Sequence, residues 1–188
     1  MLNQATFKDL EIPFIAVATD YHSGDTVSLQ TGNIAKALRA SISVPAFLQP
    51  VEYHNRLLAD GGLSDPVPAD IVRQMGVDIV IAINLDMVPP ETEHITIPSI
   101  HVVPAHAIDI LQHHLALRSV KSADVVIAPD VAHIGWVGWD HFFNQTKTQK
   151  LIATGEEATL AAIPQIKEII TLKKKGQPLL RRVLNIFH

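Results

Sequence analysis

An α/β fold, with a mostly parallel sheet flanked by helices, is predicted by two features of this sequence. Apolar runs rich in β-branched residues recur at IPFIAVATD (12–20), DIVIAINL (78–85) and ADVVIAP (123–129). Stretches with helical spacing alternate with them, the ordering expected of layered α/β proteins. The runs are nearly continuous rather than alternating, as in strands covered on both faces. At 188 residues and 47% hydrophobic content, the chain is long and apolar enough for a sizeable core, which excludes a disordered polymer.

The elements follow in order. Residues 12–20 read as a buried strand ending in Asp20. The turn-like His22-Ser23-Gly24-Asp25 leads to TVSLQ (26–30), so the two pair as a hairpin. Asn33 is placed to cap a helix with Ile34, Ala37, Leu38 and Ser41 on one side. That helix ends before Pro45, because a residue preceding proline is pushed out of the helical region. Residues 56–60 are extended. PVPADIVRQMG starts with proline and stops at Gly76, the usual asymmetry of a helix. DIVIAINL is the strongest strand, SIHVV (99–103) a further one, and 105–121 is helical. ADVVIAP repeats the buried-strand signature, and a long helical pattern from about His141 to Lys174 is bent near Pro164.

Charge and composition exclude several classes of function. The net charge is −4, yet Thr171 to His188 holds Lys173, Lys174, Lys175, Arg181 and Arg182 with no acid, a tail of +5 on a body of −9. An acidic body argues against general nucleic-acid binding. The absence of cysteine removes disulfides, thiolate metal sites and thiol nucleophiles. MLNQATFKDL has no basic and apolar leader pattern, and no apolar run approaches the roughly 18 residues of a membrane span. A cytoplasmic location is the expectation.

LLADGGLSDPVPADIV (57–72) is the segment that points to chemistry. The apolar Leu57-Leu58-Ala59 ends in one carboxylate, Asp60, with Gly61 and Gly62 directly behind it. A carboxylate that acts as a base must be held within hydrogen-bond reach of the proton it takes. A rigid strand end supplies that fixity, and glycine lets the chain turn with no Cβ in the way. Partial burial favours the protonated form of such a group. Asp-Gly-Gly is also an ordinary turn sequence, so its context must decide.

That context is an ordered series: IAVATD, ALRASISVPAFLQPV, LLADGGLSDPVPADIVRQMGVDIVIAINL and ADVVIAPD. It resembles the C-terminal half of the patatin-like phospholipases, which read approximately A-T-D, A-x-x-A-S-x-S-x-P-x-x-F-x-P, D-G-G or D-G-A, and G-A-D-x-V-I-A. The matching residues are Ala18-Thr19-Asp20, Ala37 through Pro50, Asp60-Gly61-Gly62 with Pro68, and Gly76-Val77-Asp78. The resemblance extends from about residue 10 to about residue 165. It implies hydrolysis of lipid acyl esters by a serine–aspartate dyad, with Asp60 as the acid–base residue and no metal or organic cofactor. It also implies a three-layer architecture.

The family's G-x-S-x-G serine elbow and glycine-rich oxyanion loop are not found in this sequence. Ser41 and Ser43 lie in the A-S-x-S-x-P segment, which resembles a packing element and not the nucleophile. The expectation is therefore one incomplete domain, residues 1–170, forming the C-terminal part of the hydrolase, followed by a basic amphipathic tail, 171–188. Removing the nucleophile of a hydrolase whose groups act as a unit costs on the order of 10⁶ in turnover. The chain alone is expected to be inert, and its uncovered sheet to associate with itself or with the missing N-terminal half. The alternative reading is a non-catalytic patatin-like fragment that binds lipid or protein.

Other constellations carry less. His106, Asp109 and His113 share one helical face and have spacing open to a transition metal, although a solvated face has the same pattern; a metal-dependent hydrolase is a third reading. Asp65 either shapes the loop after Asp60 or begins the Pro66-Val67-Pro68 turn. Trp136 and Trp139 either rim a lipid site or cap the core. In the tail, Leu180, Val183, Leu184 and Phe187 would share a helical face, which suits either an anionic membrane surface or docking on the body. The substrate class implied is a lipid or other acyl ester.

Overall fold

Residues 4–45, 47–85, 100, 103–131 and 144–174 are described in a computed structural model. They form two units. The first runs to Pro68 and takes in helix α3 (Val103–Ser119); the second comprises the segments that begin at Ala69 and at Val120.

Four strands build the first unit: β1 (Ala16–Asp20), β2 (Thr26–Leu29), β3 (Val51–Tyr53) and β4 (Arg56–Asp60), in the spatial order β2-β1-β4-β3. Every pairing among them is antiparallel, with Ala18 opposite Asp60 and Asp20 opposite Leu58. Short connections explain the β1–β2 and β3–β4 pairings. The expected hairpin joins β1 to β2. His54 and Asn55, both at positive φ (52° and 59°), join β3 to β4 in the two-residue turn whose twist matches that of the strands. Connections this short cannot return a strand in parallel.

Helix α1 (Ile34–Ser41) begins as expected at Asn33, whose Oδ1 accepts the amide of Lys36 at 2.9 Å. Its Ile34, Ala37 and Ala40 pack on Ala16, Ala18, Leu29, Tyr53 and Leu58. The small side chains on both surfaces let helix and sheet approach closely. Alternation along β1 sends Val17 and Thr19 to the opposite face, and they too are buried. The turn that follows β4 lies against that face of β1, and α3 touches the turn.

The second unit contains α2 (Ala69–Gln74), β5 (Ile81–Ile83), β6 (Val125–Ile127) and α4 (Gln145–Lys174). Gly76, at φ +82°, closes the α2 segment in the left-handed region. β5 and β6 pair in parallel. Val125 and Ile127 are covered by Ile169, with Ala158, Ala162 and Ile166 of α4 beside it at helical spacing. The helix runs through Pro164.

The α/β class holds, but parallel pairing among the described residues is confined to β5 and β6; the larger sheet is antiparallel. DIVIAINL forms a strand only at 81–83, and Ile81 and Ile83 are exposed, so this strand is not covered on both faces. Of the strand expected at 99–103, Ile100 lies in a turn and Val103 opens α3. Pro104 is tolerated there because first-turn amides have no partner within the helix. Trp136, Trp139, His141 and residues 175–188 of the basic tail lie outside the described residues.

Candidate active site

Asp60 is the last residue of β4 and the cap of a single 3-10 turn, Gly61–Leu63. Its strand is pinned on both sides. β1 pairs with it along the edge, and the Asp60 amide donates to the carbonyl of Ser43 at 3.1 Å. The side chain is half-buried, and its Oδ1 accepts the amide of Gly62 at 2.6 Å. An acceptor-only carboxylate facing a charge-assisted backbone donor is held in one orientation.

The glycines have different reasons. A Cβ on Gly61 would collide with the backbone carbonyl oxygen of Val17, so β1 and the turn meet backbone to backbone. A Cβ on Gly62 would come to 2.5 Å of Gln112 Nε2 and 2.9 Å of Asp60 Oδ1. Here the space is occupied by α3 and by the carboxylate itself.

Behind Asp60 lies a hydroxyl pair. Thr19, buried in β1, places Oγ1 2.7 Å from the Asp60 carbonyl oxygen and 2.8 Å from Ser64 Oγ. The turn closes on itself through the amides of Ser64 and Asp65, which both donate to the Gly61 carbonyl at 3.1 and 2.9 Å. Asp65 also accepts from the Ser119 hydroxyl at 2.6 Å, so the acid that could have served only the proline turn ties the loop to the end of α3.

Ser43 is 1% exposed, and its hydroxyl is spent. It donates to the Arg39 carbonyl at 2.8 Å and accepts from the Arg39 guanidinium at 2.7 Å, while that guanidinium also reaches the Gln49 carbonyl at 3.2 Å. A hydroxyl so engaged is a structural group. Ser41 ends α1.

Asp20 is the second strand-end carboxylate, and it makes a turn. The amides of Ser23 and His22 donate to its Oδ1 at 3.2 and 3.0 Å and hold it below the ordinary carboxylate range; Arg56 adds an ion pair at 3.5 Å. Among the described residues no group of three or more His, Cys, Asp or Glu side chains is placed to hold a metal ion, so His106, Asp109 and His113 do not form one.

Three motif segments therefore converge at one point: Thr19 from A-T-D, Ser43 from A-S-x-S-x-P, and Asp60 from D-G-G. Sequence patterns did not reveal Gln112, Ser119 or the Thr19–Ser64 contact. These are pairings over long separations, and no periodicity marks them.

Fold and site together define an α/β protein built around a fixed carboxylate at a strand end. Residues 1–73, which contain that carboxylate, match the sequence model of the patatin-like phospholipase family. Over 86 residues the chain is 40% identical to an uncharacterized NTE family protein of Mycobacterium tuberculosis, covering 46% of this chain and 24% of the relative. A second uncharacterized NTE family protein of that organism is 28% identical over 145 residues, covering 65% and 25%. Patatin-like phospholipase domain-containing protein 7 of Mus musculus is 34% identical over 80 residues, covering 42% and 6%. Through this segment the chain is similar to the patatin-like phospholipase family. It spans about a quarter of the length of the mycobacterial relatives it matches.

Proposed function

We propose that this chain carries the acid–base part of a patatin-like lipid acyl hydrolase, with Asp60 as the base of a serine–aspartate dyad. The family match supports a hydrolase of the lipid type. The observation that carries the assignment to Asp60 is its half-buried carboxylate, turned by the Gly62 amide at the end of a strand pinned on both sides.

In the proposed reaction Asp60 takes the proton of a serine hydroxyl supplied by polypeptide outside this chain. The serine oxygen bonds to the acyl carbonyl carbon and the carbonyl electrons move to oxygen. On collapse the ester C–O bond breaks and Asp60 returns the proton to the leaving alcohol. Water then repeats the sequence on the acyl-enzyme, again through Asp60. One carboxylate serves as base and then as acid in each half, which requires that it stay put between steps. Gly61 and Gly62 shape the turn that holds it.

The test is hydrolysis of a short-chain nitrophenyl ester. The chain alone gives background rates, because loss of a nucleophile costs on the order of 10⁶ and each lost oxyanion donor about 10²–10³. Mixed with, or fused to, a patatin-like segment bearing G-x-S-x-G, it gives turnover that Asp60→Asn, which removes the base, lowers by about 10⁶. Robust turnover by the chain alone, abolished by Ser41→Ala or Ser43→Ala, would overturn the assignment.

A further inference from the structure

We propose that Thr19 and Ser64 are positioning residues for the Asp60 carboxylate, acting through a directional chain of two hydroxyls. The inference rests on the reading of Asp60 as the base and names what sets its orientation.

The direction follows from proton counting. A carbonyl oxygen only accepts, so the 2.7 Å contact between Thr19 Oγ1 and the Asp60 carbonyl uses the single hydroxyl proton of Thr19. The 2.8 Å contact with Ser64 must then be donated by Ser64. The chain runs from the Ser64 hydroxyl to the Thr19 hydroxyl to the Asp60 carbonyl. Thr19 is 5% exposed, so bulk water does not compete for either bond.

This chain spans the turn. Asp60 caps its start and Ser64 follows its last residue, and Thr19 holds both from the neighbouring strand. Fixing the Asp60 carbonyl fixes the plane of the Asp60–Gly61 peptide. The next amide along, that of Gly62, is then aimed at Asp60 Oδ1, where it lies 2.6 Å away. The carboxylate is oriented by its own turn, and the turn is oriented by Thr19. Ser64 makes Thr19 a better donor by donating a hydrogen bond to the Thr19 hydroxyl oxygen.

The test uses this chain in solution by nuclear magnetic resonance. Thr19→Val keeps the size and the β-branch of the side chain and removes only the hydroxyl. In wild type the three-bond couplings of Asp60 Cγ report one χ1 rotamer, and the Gly62 amide is protected from exchange. In Thr19→Val the couplings average toward several rotamers and Gly62 exchanges about tenfold faster. Thr19→Ser restores both, and Ser64→Ala changes both in the same direction to a smaller extent. Wild-type couplings and exchange in Thr19→Val, with the remaining spectrum native, overturn the proposal. Should Thr19→Val not fold, Ser64→Ala decides: its two changes support the chain of hydroxyls, and their absence overturns it. Both readouts are independent of turnover, so their failure is separable from failure of the base assignment, which the Asp60→Asn assay decides.

Discussion

Ser119, the last residue of α3, donates a 2.6 Å hydrogen bond to Asp65, 54 residues earlier in the chain. This contact closes the far end of the turn that begins at Asp60. Its acceptor is a carboxylate in a part-buried setting, where such a bond is worth more than a neutral one. Ser119→Ala is expected to destabilise the first unit by about 1.5–3 kcal/mol, read from the urea midpoint. Faster amide exchange should be concentrated at residues 61–65. A uniform loss of protection would argue that Ser119 acts on the helix and not on the turn.

The two glycines predict different penalties. In Gly61→Ala the new methyl meets the backbone of β1, which cannot move without disturbing the sheet. A loss of about 3 kcal/mol, at the upper end of overpacking costs, is expected. In Gly62→Ala it meets the end of the Gln112 side chain, which can swing away, and the Asp60 carboxylate. The stability loss should be about 1 kcal/mol, with Asp60 displaced. Combining Gly62→Ala with Gln112→Ala should relieve the steric part only. Equal denaturation midpoints for the two single variants would contradict this assignment.

Much of this was legible in the sequence, for physical reasons that can be named. Asn33 capped the predicted helix, Gly76 ended another, and Asp60 stood at a strand end, because capping, left-handed glycine and apolar runs are local properties. The direction of the sheet was not legible. Continuous apolar runs suggested parallel strands, whereas β1 is covered on both faces for another reason: α1 packs on one side and the Asp60 turn on the other. The strand at 51–53 was missed because Val51-Glu52-Tyr53 is short, and its turn uses His54-Asn55 instead of the usual Asn-Gly. Thr19, Gln112 and Ser119 gained their roles from long-range placement, which no spacing rule encodes. The family resemblance located Asp60, and only coordinates could show what holds it.

Acid should weaken the second unit through Asp124. Burial pushes this carboxyl up, but the Val80 amide at 2.8 Å and the Arg73 guanidinium at 2.5 Å, with the charge of Lys173, together hold it below its ordinary value of 3.8. A carboxyl depressed in the folded state contributes fully above its unfolded value, and the contribution is lost as pH falls through the lower folded value. Asp124→Asn should therefore cost stability at pH 7 and cost progressively less below about pH 4. The cost at neutral pH is expected in the lower half of about 1.5–3 kcal/mol, since the Arg73 side chain is 35% exposed and partly screened. Urea unfolding at pH 7 and pH 3 measures both; a pH-independent penalty would remove Asp124 from the acid response.

The small parallel sheet predicts association. Ile81 and Ile83 of β5 and Leu85 just beyond it are 45, 60 and 58% exposed, which leaves apolar side chains along one face of this strand in water. Apolar surface on a short strand is the feature that draws a second chain. Burial returns about 25 cal/mol per Å². We expect the isolated chain to sediment as a concentration-dependent oligomer. Ile81→Lys with Ile83→Lys should shift it toward monomer, because a charge brought to that surface must be desolvated for a second chain to dock. The substitutions lie on exposed positions, where a change of fold stability stays within about 0.5 kcal/mol. A wild-type chain that sediments as one monomeric species across a hundredfold range of concentration would show that these residues draw no partner copy, and the double substitution would then leave the boundary unchanged.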